Sequence, residues 1–243
     1  MKNEFEVHTF GFEGAHRSGK GTQIELLRSK IESLGIPCIV VRGGGRRGNS
    51  GEQPGDPYSE WWAEKLPVLR GEGAKKEDWF DGSKRLAREL VVFRDRILPR
   101  YAAEKGSSRA VLLIDRSILS HMAMSDLDLI DADNIEAVYG TRDDNGRKLP
   151  KTREVFPDLI FYLKAEKDAL LARLDARDPL FDFKKKNITE TTAAFDESVL
   201  KLPPDLQERV VAVDAARSQK EIGDDIYKII QERVAPTMDD EAR

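Results

Sequence analysis

The chain has a single cysteine, no long apolar run and no large excess of either charge, and each absence excludes a class of protein. With Cys38 alone, no intramolecular disulfide forms and no cage of cysteines holds a metal. Cys38 lies in the run IPCIVV, where the expected reading is a buried strand residue and the alternative a reactive thiol. Crossing a bilayer takes roughly 20 apolar residues, and no run approaches that length. The start, MKNEFEVHTF, has no apolar region behind a basic segment, so no signal peptide is expected and the protein reads as soluble and cytoplasmic. Against 40 basic residues stand 44 acidic ones, a formal net charge of −4. Overall charge therefore argues against a nucleic-acid partner, with local basic clusters left open. The 243 residues show no internal repeat and no linker, and they suffice for one substantial core.

What is present is alternation. Strands are predicted at Phe5 to Phe12, Ile36 to Val41, Ala110 to Ile114 (ending in Asp115), Leu159 to Leu163 and Val210 to Val213. Helical spacing runs from Gly19 to Leu34, with Ile24, Leu27, Ile31 and Leu34 on one face, and from Ser83 to Glu104, kinked or divided at Pro99. Further helices are predicted after Asp115 as far as Tyr139, from Glu166 to Arg177, up to Leu200 and from Ser218 to Arg233. The run DPLFDFKKKN reads as an interruption between two of these. Residues 43–59 are rich in Gly and Pro and read as loop, Trp61 and Trp62 open a short helical stretch, and residues 235–243 read as a frayed tail. Strand and helix alternating five times predicts one α/β domain, a five-stranded parallel sheet with helices on both faces.

One stretch carries chemistry. FEGAHRSGKGTQ, from Phe12 to Gln23, follows a predicted strand and opens a predicted helix, the context that lifts a glycine pattern above chance. Gly14 and Gly19 let consecutive N–H groups face one concavity, the helix N-terminus adds positive potential, and Lys20 would neutralise outer phosphates. Gly21 stands where the Walker A pattern has a serine or threonine. Asp115 ends the most apolar strand, where phosphate-binding enzymes keep an acid near the metal. Parallel strands end on one crevice, so Asp115, Arg116 and the loop after Phe12 are expected on one edge.

Four segments resemble thymidylate kinases, in order and with matching spacing. FEGAHRSGKGTQ is similar to the family's FEG-x-x-x-x-GK-[ST]-TQ, and IDRSILSHMAM to its DR-Y-x-x-S-x-x-A-Y-Q. PDLIFYLKAEKDALLARLDAR is similar to the PDL-x-x-YL strand and the helix before the lid, and VVAVDAARS to the final strand and adenine-side loop. The resemblance implies a three-layer P-loop NTPase fold and a kinase using ATP and Mg2+ on a nucleoside monophosphate, dTMP or a related deoxynucleotide. Gly14, Gly19, Lys20, Gly21 and Thr22 would hold the ATP phosphates, with Thr22 on the inner ones, as in the GKGT form of adenylate kinases. Arg17 would help neutralise the transferred group, the alternative being a solvent-facing arginine, and Asp115 would serve the metal. Lys184, with Lys185 and Lys186, falls in a lid at about 178–190. Arg173 and Arg177 match positions near the donor adenine and the lid base, or are helix-surface charges. On the acceptor side stand Arg96 and Arg116, with Arg42 or Arg46 from the second-strand loop, and Phe93 as a stacking ring or as core. The resemblance also suggests a homodimer formed through helix packing.

The departures cluster on the acceptor side. His16 replaces the loop carboxylate that faces the acceptor sugar, Ser117 replaces a tyrosine, and Met124 and Ser125 replace a tyrosine and a glutamine near the base. Exchanging an acceptor-only carboxylate for an imidazole changes charge and hydrogen bonding together, so the acceptor need not be thymidylate. Two other readings stay open. One is a kinase for another small molecule, its pocket rebuilt around His16, Trp61 and Trp62, with Asp115 or His16 as base for a hydroxyl acceptor. The other is a non-catalytic nucleotide-binding regulator, disfavoured by the lack of an NKxD motif and by Arg116 following Asp115.

Overall fold

The computed structural model describes residues 5–42, 90–124, 152–177 and 181–234. Five strands form one parallel sheet: β1 (Glu6–Glu13), β2 (Cys38–Arg42), β3 (Arg109–Asp115), β4 (Leu159–Lys164) and β5 (Val210–Asp214), in the order β2-β3-β1-β4-β5. The inner strands are near-continuous apolar runs such as VLLI and LIFYL, as a sheet covered on both faces requires. At the edge, β5 is only partly buried. Side chains alternate across the sheet and divide the core in two. On one face Phe10, Phe12, Val111, Leu113, Phe161 and Leu163 pack against Ile24, Leu27 and Ile31 of α1 (Lys20–Glu32) and against Ile222, Ile226 and Ile230 of a C-terminal helix, Gln219–Val234. On the other, Ile160 and Tyr162 meet Phe195, and Leu112 and Ile114 meet Phe93 and Leu98. Each fully buried Ile or Leu on α1 contributes about 1.5–3 kcal/mol, which fixes α1 under the sheet and its N-terminus at the carboxyl edge.

The remaining helices lie between the strands. α2 (Leu98–Glu104) follows a π-helical turn, Phe93–Ile97, and precedes β3, while α3 (Ile118–Met124) follows β3. Then come α4 (Thr152–Val155), α5 (Lys167–Ala172), α6 (Phe181–Leu200) and α7 (Pro204–Gln207), leaving Gln219–Val234 as α8. Pro99 stands in the first turn of α2, directly after the π turn, where a missing N–H and a fixed φ are tolerated. Among the described residues no helix is long and apolar enough to cross a membrane.

Three expectations change. DPLFDFKKKN is not an interruption from Phe181 onward, because Phe181 to Asn187 are the first turns of the 20-residue α6. The helix predicted to reach Arg177 is α5 alone, ending at Ala172. α4 and α7 are short helices that no periodicity announced. Arg46, the rest of the 43–59 loop, Trp61, Trp62, Ser125 and the tail lie outside the described residues, as do 178–180 of the lid segment.

Candidate active site

The loop after β1 is shaped by residues that must approach neighbouring backbone. At Gly14 φ is 134°, and a Cβ there would lie 2.5 Å from the Leu163 carbonyl oxygen and 2.9 Å from Ser18 Oγ. Only glycine fits a positive φ against another strand's backbone. The chain turns back with Ser18 N–H donating to Ala15 O, and Gly19, in the left-handed region, caps α1. No side chain caps that helix and no acid stands in its first turn. A helix built for stability alone has both, whereas an uncapped N-terminus leaves its N–H groups and positive dipole end to an anion.

Lys20 is buried and turned back into the loop. Its ammonium donates to Gly14 O at 2.8 Å, Ala15 O at 2.9 Å and Ser18 Oγ at 3.3 Å. Burial pushes its pKa down from 10.5 to about 7, with Arg116 adding to the shift and Asp115 and Glu13 opposing it. Gly21 and Thr22 are exposed in the first turn of α1, Arg17 is exposed and His16 is half-buried. Arg17 adopts φ 65°, a left-handed conformation that costs an L-residue about 1–2 kcal/mol. Arg116, at φ 71°, is the other non-glycine residue with positive φ among the described residues. Backbone strain of this kind gathers at functional sites.

The sheet register brings the second group to the same edge. Phe12 on β1 lies opposite Asp115 on β3, and Arg42 on β2 lies opposite Asp115 from the other side. Arg116 N–H donates to Phe12 O, tying the two chain ends together. Asp115 Oδ1 is buried and has no hydrogen-bond partner among the described residues. An orphaned carboxylate oxygen beside a phosphate loop fits a hard cation such as Mg2+, which takes one or two carboxylates and completes its shell with phosphate oxygens and water. Among the described residues no three or more His, Cys, Asp or Glu side chains cluster to hold a metal by themselves.

Glu13, which the sequence reading left without a role, is fully buried between these groups. Its Oε1 accepts from Ser117 N–H, from Ser117 Oγ at 2.8 Å and from Ser120 N–H at 3.2 Å, and its Oε2 from the Ser120 hydroxyl. Desolvation pushes its pKa up, while the Ser120 and Ser117 hydrogen bonds and the Arg116 charge pull it down. Arg116 Nη1 in turn donates to Ser120 Oγ at 3.3 Å.

The other predicted residues divide. Arg173 reaches the loop, donating to Arg17 O at 3.2 Å and to Ala215 O, beyond β5, at 2.7 Å. Arg177 is 90% exposed beyond the end of α5 and pairs with Asp175 two residues away, a solvent-facing charge, and such a pair contributes little. Lys184 is buried, whereas Lys185 and Lys186 face solvent and Lys186 lies 3.7 Å from Glu190. Phe93 is fully buried with Ile39, Val41, Leu98 and Leu112, so its ring is core rather than a stacking face. Arg96 is exposed on the π turn.

Two known proteins are similar to the chain. A thymidylate kinase of Pelotomaculum thermopropionicum is 28% identical over 233 residues, spanning 96% of this chain and 94% of that protein. The crystal structure of thymidylate kinase from Ehrlichia chaffeensis superposes with a TM-score of 0.52 at 16% identity, covering 93% of this chain and 99% of the other. The chain is similar in sequence and in fold to thymidylate kinases. At that identity the structural likeness speaks for the fold alone, and the sequence likeness extends over nearly the whole chain. No protein-family model matches the chain. In this chain the sheet register places Asp115 and Arg116 beside the loop after Phe12, and Glu13 ends the central strand.

Proposed function

We propose that the chain is a nucleoside monophosphate kinase that transfers the γ-phosphoryl group of ATP to the acceptor's phosphate, with Mg2+, on dTMP or a related deoxynucleotide. The observation that carries this reading is the register of Phe12 against Asp115, which sets the phosphate loop and the Asp115–Arg116 pair on one edge. An acceptor phosphate oxygen bonds to the γ-phosphorus as the bond to the β,γ-bridging oxygen breaks, and ADP leaves. The acceptor phosphate is already an anion near neutral pH, so no general base is needed, and catalysis rests on positioning and charge. Backbone N–H groups of the loop and α1 hold the donor phosphates. Lys20 leaves the loop carbonyls for the outer phosphates, Arg17 neutralises the transferred group and Arg116 holds the acceptor phosphate. Asp115 would hold Mg2+, which supplies charge neutralisation on the phosphate oxygens. Arg173 stands at the donor side, and Arg42 and Arg96 toward the acceptor. Lys184, buried near the start of α6, would add positive charge toward the phosphates. A homodimer and a cytoplasmic location belong to the same reading.

The test is ADP formation from ATP and magnesium against a panel of nucleoside monophosphates. Turnover dependent on one of them, abolished by Lys20→Ala, is the expected result. ATP binding without turnover on any monophosphate would overturn the reading.

A further inference from the structure

Two serines of the turn after β3 spend their donors on one buried carboxylate. Glu13 is the last residue of β1 and directly precedes Gly14 of the phosphate loop, while Ser117 and Ser120 flank the start of α3. All three are buried, and four donors converge on the two oxygens of Glu13. A buried carboxyl group whose oxygens accept four hydrogen bonds is a fully connected polar network, and such a network holds rigid the residues it joins. What it fixes is next to it. Arg116 is held in the left-handed region, with its N–H bound to Phe12 O on one side and its guanidinium bound to Ser120 Oγ on the other. Ser120 Oγ is thus the shared atom between the Glu13 carboxylate and the Arg116 guanidinium. Gly11 leaves the room: a Cβ there would stand 3.0 Å from Ser117 Oγ.

We propose that Glu13 is a positioning residue which, through Ser117 and Ser120, locks the turn carrying Arg116 to the base of the phosphate loop, so that acceptor and donor phosphates are held in one rigid frame. Glu13 touches neither substrate. It acts on the acceptor through Arg116, and this inference rests on the kinase reading above. A merely structural Glu13 would lower stability and affect both substrates alike, whereas a positioning Glu13 affects the acceptor selectively.

The experiment is steady-state kinetics of the full chain and of Glu13→Ala, Glu13→Gln and Ser120→Ala, varying the acceptor monophosphate and ATP in turn. Glu13→Ala and Ser120→Ala are expected to raise the acceptor KM by about tenfold, since a misplacement of about 1 Å can cost up to roughly 10²-fold, with the ATP KM within about twofold. Glu13→Gln keeps an oxygen for both N–H donors, and the Ser120 hydroxyl can turn to accept from its amide, so it should recover most of the wild-type acceptor KM. Should Glu13→Ala fail to fold, Ser120→Ala decides, because it keeps the carboxylate and removes only the shared hydroxyl. Hydrogen exchange supplies a readout independent of turnover: the Ser117 and Ser120 amides should exchange faster in Glu13→Ala while the α1 amides keep their protection. Equal rises in both KM values, or an unchanged acceptor KM in Ser120→Ala, would overturn the positioning role and leave the kinase reading standing. A wild-type chain without acceptor-dependent turnover would overturn the kinase reading and, with it, this one.

Discussion

Replacing Arg17 with glycine separates what the loop does for stability from what it does for chemistry. Arg17 sits at φ 65°, where an L-residue carries about 1–2 kcal/mol of strain that glycine avoids. Glycine's larger unfolded-state entropy takes back about 0.4–1 kcal/mol. The net for Arg17→Gly is a protein between equally stable and about 1.6 kcal/mol more stable, a rise in Tm of up to roughly 6 °C for a domain of this size. Activity should move the opposite way. An arginine that neutralises a transferred phosphoryl group is worth about 10³–10⁵ in kcat where it has been removed, and a loss of about 10³-fold is expected here. Differential scanning calorimetry and an ADP-coupled assay on the same preparation give both numbers. A fall in Tm of more than about 4 °C would refute the strain argument, since it would mean a loss of over about 1 kcal/mol. A kcat within about threefold of wild type would refute the placement of Arg17 at the transferred group.

Three further outcomes follow from the site. Because burial holds the Lys20 pKa near 7, below its unfolded value of 10.5, the unfolded chain carries more protons between those values and this group's contribution to stability rises with pH there. Bound phosphates favour the ammonium, so binding of ATP with magnesium at pH 8 should take up protons, seen as buffer-dependent heats in titration calorimetry; identical heats in buffers of different protonation enthalpy would contradict it. Gly14→Ala places a Cβ 2.5 Å from the Leu163 carbonyl oxygen at positive φ, and a loss of about 3 kcal/mol in urea unfolding with loss of ATP binding is expected; wild-type stability would show the clash is absent. Gly21→Ser meets nothing within 4 Å, so the fold should be kept with a gain of at most about 0.5 kcal/mol, and the restored hydroxyl should lower the half-saturating magnesium concentration. An unchanged magnesium dependence would mean that position 21 does not face the metal.

The strands and the phosphate loop were legible because their causes are local. AVLLID is apolar on both faces as a central parallel strand must be, and GAHRSGKGT between strand and helix carries its own turn chemistry. Asp115 was legible as a strand-end acid, and the register then placed it opposite Phe12. Glu13 was not, since its partners Ser117 and Ser120 lie 104 and 107 residues away and a strand-end glutamate beside glycine looks like any solvated acid. The left-handed backbones of Arg17 and Arg116 were hidden as well, because neither residue type favours that region and only the surrounding contacts impose it. DPLFDFKKKN read as an interruption, but its lysines lie on α6, where Lys184 is buried while Lys185 and Lys186 stay in water, a division set by helical phase that a charge count cannot show.

The most direct measurement follows the phosphorus itself. With ATP labelled at the γ-phosphate, magnesium and the monophosphate that supports turnover, the label should appear at the β-position of the new nucleoside diphosphate, one for each ADP formed. Label found only in inorganic phosphate, or ATP left intact with every monophosphate offered, would contradict the account.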